Sequence, residues 1–260
     1  MAKVKVVARH QSGHWAEIDD PAFKRNVLIM RRDASIVTRT ELTDQSSNTI
    51  MRGATLIKEA NWRIFHPKFP GTSRYVDCGI EWDGDVWKHQ DQGLRVLTDY
   101  RVTTAANGVK LLPSSMPWVL LESREVANWL LLLTTAHNNL DNTPGRAAAW
   151  LEEGRTFQGF QERMAAKYRP VHRLHQADMN KNLRRPKERQ MVKNRMLAGT
   201  GLKWGYDTDK LPARGTLKGT TAIIDYSCSN MDRRGNTKIL TNTGFADHNP
   251  IETTWLDDVA

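Results

Sequence analysis

Five stretches of this sequence run apolar and then stop on a side chain able to ligate a cation or move a proton. Glu41 follows Ser35-Ile36-Val37-Thr38, His137 follows the run from Leu130 to Ala136, and Asp178 and Asn180 follow the run from Val171 to Ala177. Asp225 sits inside Ala222-Ile223-Ile224-Asp225-Tyr226, and Asp247-His248 follow Gly244-Phe245-Ala246. Carboxylates and amides are the natural ligands of hard divalent cations such as Mg2+ or Mn2+. Imidazole is the side chain that titrates near neutral pH. The carboxyl ends of strands are where layered α/β folds build their sites. Each position also has an ordinary reading: Asp178 with Asn180 as an Asx turn, Asp247 to Pro250 as a surface turn, Glu41 as a solvated strand end, His137 as a structural histidine. Asp225 is harder to dismiss, because a carboxylate in an apolar strand needs a partner.

The elements that must position these residues alternate along the chain. Valine-rich Lys3 to Ala8 predicts an opening strand. Asp20-Pro21 supplies an N-cap and first-turn proline for a helix, with Phe23, Val27 and Met30 at helical spacing up to Arg32. A short strand over Ser35 to Thr38 delivers Glu41. Tyr75 to Trp82, Trp118 to Leu121 and Trp129 to Thr135 read as strands, the last two as a hairpin closed around Ser123 to Asn128. A long helix follows, capped by Asn142 or Thr143 with Pro144 in its first turn. Its Trp150, Phe157, Phe160, Met164 and Tyr168 share a face, Gly154 and Gly159 weaken it by about 1 kcal/mol each, and Pro170 ends it. Val171 to Ala177, Thr221 to Ser227 and Ile251 to Trp255 predict further strands, with a turn at Arg234-Gly235-Asn236. Helices between strands, with no low-complexity linker, argue for one α/β domain over 1–260.

Taken together and in order, these motifs resemble the endonuclease/exonuclease/phosphatase superfamily with its DNase-I-like fold. Ala177-Asp178-Met179-Asn180 is similar to the family's Asp-x-Asn motif, and Ala246-Asp247-His248-Asn249-Pro250 to its Ser-Asp-His-x-Pro motif. Ile224-Asp225-Tyr226, Thr135-Ala136-His137, Thr40-Glu41 and the strand Cys78-Gly79-Ile80-Glu81-Trp82 match further family segments. The resemblance spans Val4 to Trp255. It implies a four-layer α/β sandwich, two mixed β-sheets packed face to face with helices outside. It also implies Mg2+ or Mn2+ on Glu41, assisted by Asp247, and His248 on the scissile phosphate with Asp225 orienting its ring. Asp178 would position or deprotonate the attacking water, Asn180 would fix that group and the phosphate, and His137 would protonate the leaving oxygen. Which residue is the base stays open.

Three positions depart from the family pattern. His10 stands where the first strand usually ends in Asn, Thr40 replaces Gln, and Ala246 replaces Ser. His10 is therefore either a metal ligand itself or the mark of a weakened site. Other constellations carry less. His172 and His175 in His-Arg-Leu-His point to opposite faces of a strand, against zinc. No Walker loop, nucleophile elbow or dinucleotide fingerprint is present, and the nine tryptophans read as core.

Composition bounds the partners. With 260 residues, 39% of them hydrophobic, the chain can bury a core without disulfide or metal. Its longest apolar run, Trp129 to Leu133, is five residues, against roughly 20 for a membrane span. The N-terminus lacks the apolar region of a signal peptide, and Cys78 and Cys228 are too few for a disulfide scaffold. A reducing, cytoplasmic setting without membrane contact is expected. Lys and Arg number 38 against 29 acids, a formal +9. Two thirds of that excess falls in Lys181 to Arg195, where Lys181, Arg184, Arg185, Lys187, Arg189, Lys193 and Arg195 face one acid, Glu188. Such a run is either a self-repelling solvated segment or, starting beside Asn180, a clamp on flanking phosphates. The leading expectation is a metal-dependent nuclease acting on DNA, with RNA as a further substrate, of the divergent kind found in phage genomes. A small-molecule phosphatase on the same scaffold and a non-catalytic nucleic-acid-binding relative are the alternatives.

Overall fold

The computed structural model describes residues 3–12, 20–42, 61–73, 75–98, 114–139, 144–241 and 247–258, with the backbone alone for 20–24. Along the chain these form β1 (Lys3–Gln11), α1 (Asp20–Arg31), β2 (Ile36–Arg39), β3 (Trp62–Phe65), β4 (Gly79–Asp83), β5 (Trp87–Thr98) and β6 (Ser114–Ser123). There follow β7 (Leu130–His137), α2 (Pro144–Lys167), β8 (His172–Asp178), α3 (Pro186–Val192) with a π-helical turn (Lys193–Leu197), β9 (Lys203–Trp204), β10 (Asp225–Ser229), β11 (Asp232–Arg233), β12 (Lys238–Ile239) and β13 (Ile251–Asp258).

Two sheets result. One has the order β11-β13-β1-β2-β4-β3, with β12 also on β13; the other runs β5-β6-β7-β8-β10-β9. Among the described residues, only β1/β2 and β7/β8 pair in parallel, and each pair is joined by a helix, α1 or α2, as parallel neighbours require. Strand alternation then sorts the side chains. Val4, Val6, Ala8, Ile36, Ile80 and Trp82 of the first sheet meet Leu121, Leu131, Leu133 and Leu174 of the second in one buried layer. The opposite face of the second sheet, including Leu120, Leu132, Ala136 and Tyr226, packs on Trp150, Phe157, Phe160 and Met164 of α2. Helix, sheet, sheet and helix make the expected four-layer α/β sandwich.

Several expected elements differ in extent. The hairpin over 118–135 is β6/β7, with Trp118 opposite Thr134 and Glu122 opposite Leu130, and it runs further at both ends. The strand expected from Tyr75 begins only at Gly79. The strand expected from Thr221 begins at Asp225, because the preceding residues fold back on Thr216: its N–H donates to Ala222 O (2.8 Å) and its Oγ1 accepts from Ile224 N–H (3.0 Å). β5 was not anticipated. It is an edge strand whose middle is largely solvated, so its sequence carries no apolar alternation. The proposed caps Asn142 and Thr143 lie outside the described residues.

The basic run is not a loose segment. Pro186 starts α3, and Val192, Met196 and Leu197 bury an apolar face in the core beside α2. Gly154 makes that packing possible: a Cβ there would lie 2.3 Å from Arg195 O. A glycine that costs helix propensity thus permits backbone contact between two helical segments.

On the outer face of the first sheet, Glu81 of β4 is fully buried between two arginines. Arg31 Nε donates to its Oε2 (2.9 Å) and Arg39 Nε to its Oε1 (2.7 Å). Arg39 also donates to Asn26 Oδ1 (3.0 Å), and Asn26 Nδ2 to Gln11 Oε1 (3.0 Å). Burial alone would raise the Glu81 pKa, yet Arg39 and Arg31 hold it below the usual carboxylate range. This cluster ties α1 to β1, β2 and β4, and so fixes the parallel pair. Glu81→Ala leaves two buried guanidinium groups without their counterion, and urea unfolding should show a loss of about 3–5 kcal/mol; a loss under ~1 kcal/mol would mean the cluster contributes little.

Candidate active site

The residues singled out in the sequence meet at one end of the sandwich, where the parallel pairs finish. Register is the cause. His137 is opposite Asp178, the last residues of β7 and β8, and Asp178 is opposite Asp225, the first residue of β10. Three titratable residues therefore form a row across three adjacent strands, on the face turned to the first sheet. From that sheet, β1 contributes His10, directly opposite Thr38 of β2, and the chain leaving β2 contributes Glu41, at a left-handed φ of 60°. His248 arrives just before β13, pinned by a bridge to Leu217 and by Asn249, whose N–H reaches Thr216 O (2.6 Å).

Asp225 is buried and its Oδ2 lies 2.8 Å from His248 Nδ1. Burial works against its charge, but the His248 cation and the contact from His10 hold its pKa well below the usual carboxylate range. The reciprocal effect raises His248 to about 9, with burial opposing and Asp225 dominating. Asp178 behaves differently. Its Oδ1 accepts the Asn180 N–H (2.8 Å) and its Oδ2 the Ser12 hydroxyl (3.3 Å), yet burial and then the Asp225 charge push its pKa up to about 7. Two carboxylates in one row are thus split into a permanent anion and a group poised near neutrality.

The Asx turn weighed as the ordinary reading of Asp178 and Asn180 is present, and it belongs to the site. It holds Asn180 at φ 50° with its Nδ2 donating to Asn138 O (2.6 Å). That loop is itself clamped by a residue the sequence did not single out. Buried Glu153 of α2 accepts from Asn138 Nδ2 (3.1 Å), Asn139 N (3.0 Å) and Asn139 Nδ2 (2.6 Å).

Asp77 was also missed. His137 Nδ1 lies 3.0 Å from Asp77 Oδ2, and its Nε2 3.4 Å from Glu41 Oε1. Burial disfavours the charged ring, but Asp77, Asp178 and Glu41 overcome it and push its pKa up to about 10. Asp77 stands in a loop before β4, although the sequence placed it inside the strand expected over Tyr75 to Trp82, where a carboxylate was the available signal.

Three groups bring ligand atoms within 4.8 Å of one another: Glu41, His137 and Asp178; Glu41, Asp247 and His248; and Asp178, Asp225 and His248. Metal-binding imidazole must be neutral, and both His137 and His248 are held as cations by their carboxylate partners. The carboxylates of Glu41 and Asp247 are the better donors. Glu41 Oε2 is buried with no hydrogen-bond partner among the described residues, an orphaned oxygen of the type a hard cation satisfies. His10 is in none of these groups. It is fully buried, with Nδ1 2.8 Å from Thr38 Oγ1 and Nε2 3.6 Å from Asp225 Oδ1, behind the site rather than in its mouth.

The basic residues divide. Lys181 is fully buried with its ammonium 4.7 Å from the Trp150 ring centroid, so it does not face a strand passing over the surface. Arg184 donates from Nε to Thr221 O (2.6 Å) and also to Pro212 O. Arg185 pairs with Glu188 (2.8 Å). Lys187, Lys193 and Arg195 are exposed, and Arg189 is partly so. His172 and His175 do lie on opposite faces: the first stacks on Trp129 at 4.2 Å, the second meets Phe157 and Thr134.

No known protein family and no curated protein matches this sequence, but solved structures match its fold over nearly the whole chain. An endonuclease/exonuclease/phosphatase family protein from Bacteroides thetaiotaomicron superposes with a TM-score of 0.72 at 13% identity, covering 99% of this chain and 97% of that one. A mannosyl-6-phosphatase from the same organism gives 0.70 at 13% identity, over 97% and 100%. D. rerio TDP2, complexed with a single-strand DNA product, gives 0.67 at 12% identity, over 98% and 99%. The fold is therefore that of the endonuclease/exonuclease/phosphatase proteins, as the motifs implied.

Replacing Asp77 with Asn removes the nearest carboxylate, 3.0 Å from the ring, that supports the His137 cation. The His137 midpoint, followed by NMR, should fall from about 10 by at least roughly one unit; an unmoved midpoint would assign the ring's charge to Glu41 and Asp178.

Proposed function

We propose that this chain, acting as one domain, is a metal-dependent phosphodiester hydrolase whose substrate is nucleic acid, DNA foremost. The observation that carries the reading is the convergence of Glu41, His137, Asp178, Asn180, Asp225, Asp247 and His248 at one end of the sandwich, with their protonation states split by environment. An anionic phosphodiester needs positive charge on its oxygens, an activated water in line, and a proton for the leaving oxygen.

Each need has a residue. The Asp178 carboxylate, with a pKa of about 7, takes the proton of the attacking water. Its Oδ1 already orients the Asn180 backbone, and the Asn180 amide, whose Nδ2 now donates to Asn138 O, would contact water and phosphate. His248, cationic below about 9 and fixed through Nδ1 by Asp225, offers its Nε2–H to a non-bridging oxygen. His137, also cationic, protonates the leaving oxygen. Glu41 and Asp247 would hold Mg2+ or Mn2+, whose chemistry when bound is to draw charge from the phosphate oxygens.

A polymeric substrate is favoured by the formal +9 and by the exposed flank of α3 and the π-helical turn, where Lys187, Lys193 and Arg195, with partly exposed Arg189, supply positive charge. These side chains would hold flanking phosphates without reading sequence. A small-molecule phosphomonoester is the second reading, supported by the withdrawal of Lys181 and Arg184 from that surface and by the shared fold of a mannosyl-6-phosphatase.

Incubation with supercoiled plasmid and single-stranded DNA, in Mg2+, Mn2+ or chelator, tests the proposal. Cleavage should require metal and fall roughly 10²- to 10⁴-fold in Asp178→Asn and in His248→Ala. Cleavage surviving both substitutions would refute the assignment. Turnover of sugar phosphates alone would favour the second reading, and salt-sensitive binding without cleavage a non-catalytic protein. The pH dependence has a definite sign. Activity should rise as Asp178 loses its proton through about 7 and fall as His248 loses its proton through about 9, giving a bell whose acid limb disappears in the residual activity of Asp178→Asn.

A further inference from the structure

We propose that His10 is a positioning residue for the Asp225–His248 pair, presenting an N–H from Nε2 to the Asp225 oxygen that His248 leaves free. The inference rests on the reading of that pair as catalytic and adds an element to it, so that one buried carboxylate is held between two imidazoles.

The geometry is asymmetric. His248 Nδ1 is 2.8 Å from Asp225 Oδ2, a full hydrogen bond, while His10 Nε2 is 3.6 Å from Asp225 Oδ1, a longer electrostatic contact. Both side chains lie in the layer between the sheets, and His10 has no exposure at all. Its other nitrogen, Nδ1, lies 2.8 Å from Thr38 Oγ1, whose hydroxyl is in turn 3.1 Å from Gln176 Oε1. Thr38 has one proton for two acceptors, so His10 Nδ1 either donates to its hydroxyl or accepts from it, and the facing Asp225 carboxylate decides Nε2. With the hydroxyl proton on Gln176, His10 donates from Nδ1, and Nε2 needs a second proton, because a bare lone pair facing a carboxylate in a dry layer is repulsive. With the hydroxyl proton on His10 Nδ1, a neutral ring already carries its proton on Nε2. Both arrangements place N–H toward Asp225. The one excluded is the neutral ring protonated only at Nδ1.

The charged and titratable groups around the ring are consistent with this role. Asp225 attracts the Nε2 proton, whereas burial, His248 and His137 disfavour a second positive charge. A donor that is polar but mostly neutral can fix the carboxylate's plane without competing with His248 for its charge. Asn, with a shorter side chain, does not extend from this position as far as an imidazole Nε2 does. The departure at residue 10 therefore reads as a change in how Asp225 is held, and His10 does not join the metal donors of the site mouth.

Two measurements test it, and neither needs turnover. In the wild-type protein, 15N-labelled histidine spectra, assigned with His10→Gln and His248→Ala, should show His10 Nε2 bearing a proton near neutral pH; a bare Nε2 with a protonated Nδ1 overturns the proposal. In His10→Phe, the His248 Nδ1–H signal, which reports its hydrogen bond to Asp225, should move from its wild-type position, and His10→Gln, which restores an N–H donor of similar reach, should recover most of that change. If His10→Phe does not fold, the comparison is made with His10→Leu. A His248 Nδ1–H signal unchanged between the wild type and a folded donor-free variant also overturns it. Where DNA cleavage is measurable, kcat in His10→Phe should drop roughly 10-fold, in the range seen when a supporting partner of a site residue is lost, with KM little changed and most of the loss recovered in His10→Gln. Loss of the NMR shift with retained cleavage would sink the role of His10 alone, while intact NMR behaviour without any cleavage would sink the hydrolase reading alone.

Discussion

Asp178 and Asp225 occupy directly paired positions on adjacent strands, and both side chains are buried. Two bare carboxylates that close in a dry interior repel by several kcal/mol, so the end of this sandwich is stable only if something breaks their equivalence. His248 and His10 gather around one of them, and Ser12 with a backbone N–H around the other. The outcome is one carboxylate kept as an anion and one held at the edge of ionisation. The split in protonation and its electrostatic cost come from the same pair of residues.

The surrounding architecture serves that pairing. α1 and α2 allow β1/β2 and β7/β8 to run in parallel, and both parallel pairs finish at the same end of the molecule. The Glu81 cluster anchors α1 to its sheet, and Glu153 of α2 fastens the loop that receives the Asn180 amide. Buried carboxylates thus recur in two settings. Glu81 is neutralised by arginines far from any chemistry, and Glu153 is satisfied by amides one layer behind it.

Much of this was legible in the residues because chemistry interrupts patterning. His137, Asp178, Asp225 and His248 were marked by their place at the ends of apolar runs, but the strand register that brings them onto one face was not in the sequence. Asp77 and Glu153 were not legible, since one lies in an irregular loop and the other among polar helix residues, where a carboxylate is unremarkable. β5 escaped notice because an edge strand in water needs no apolar alternation. Lys181 was misplaced for the opposite reason: a charge run suggests solvent, but the residue after Asn180 turns inward under the Trp150 ring. His10 was recognised as a departure from the usual Asn, yet its partner, 215 positions along the chain, could be found only in three dimensions.

The pairing of β1 with β13, which sets Lys3 opposite Asp258, has a kinetic meaning. Closing a contact between such distant residues is slow compared with forming the β6/β7 hairpin or α2. The second sheet can therefore organise His137, Asp178 and Asp225 early, while β1 still lacks its neighbour on one side. His248 reaches Asp225 only when β13 docks. Until that moment the two carboxylates face each other without the His248 cation, and the row of charges is completed only when β13 docks.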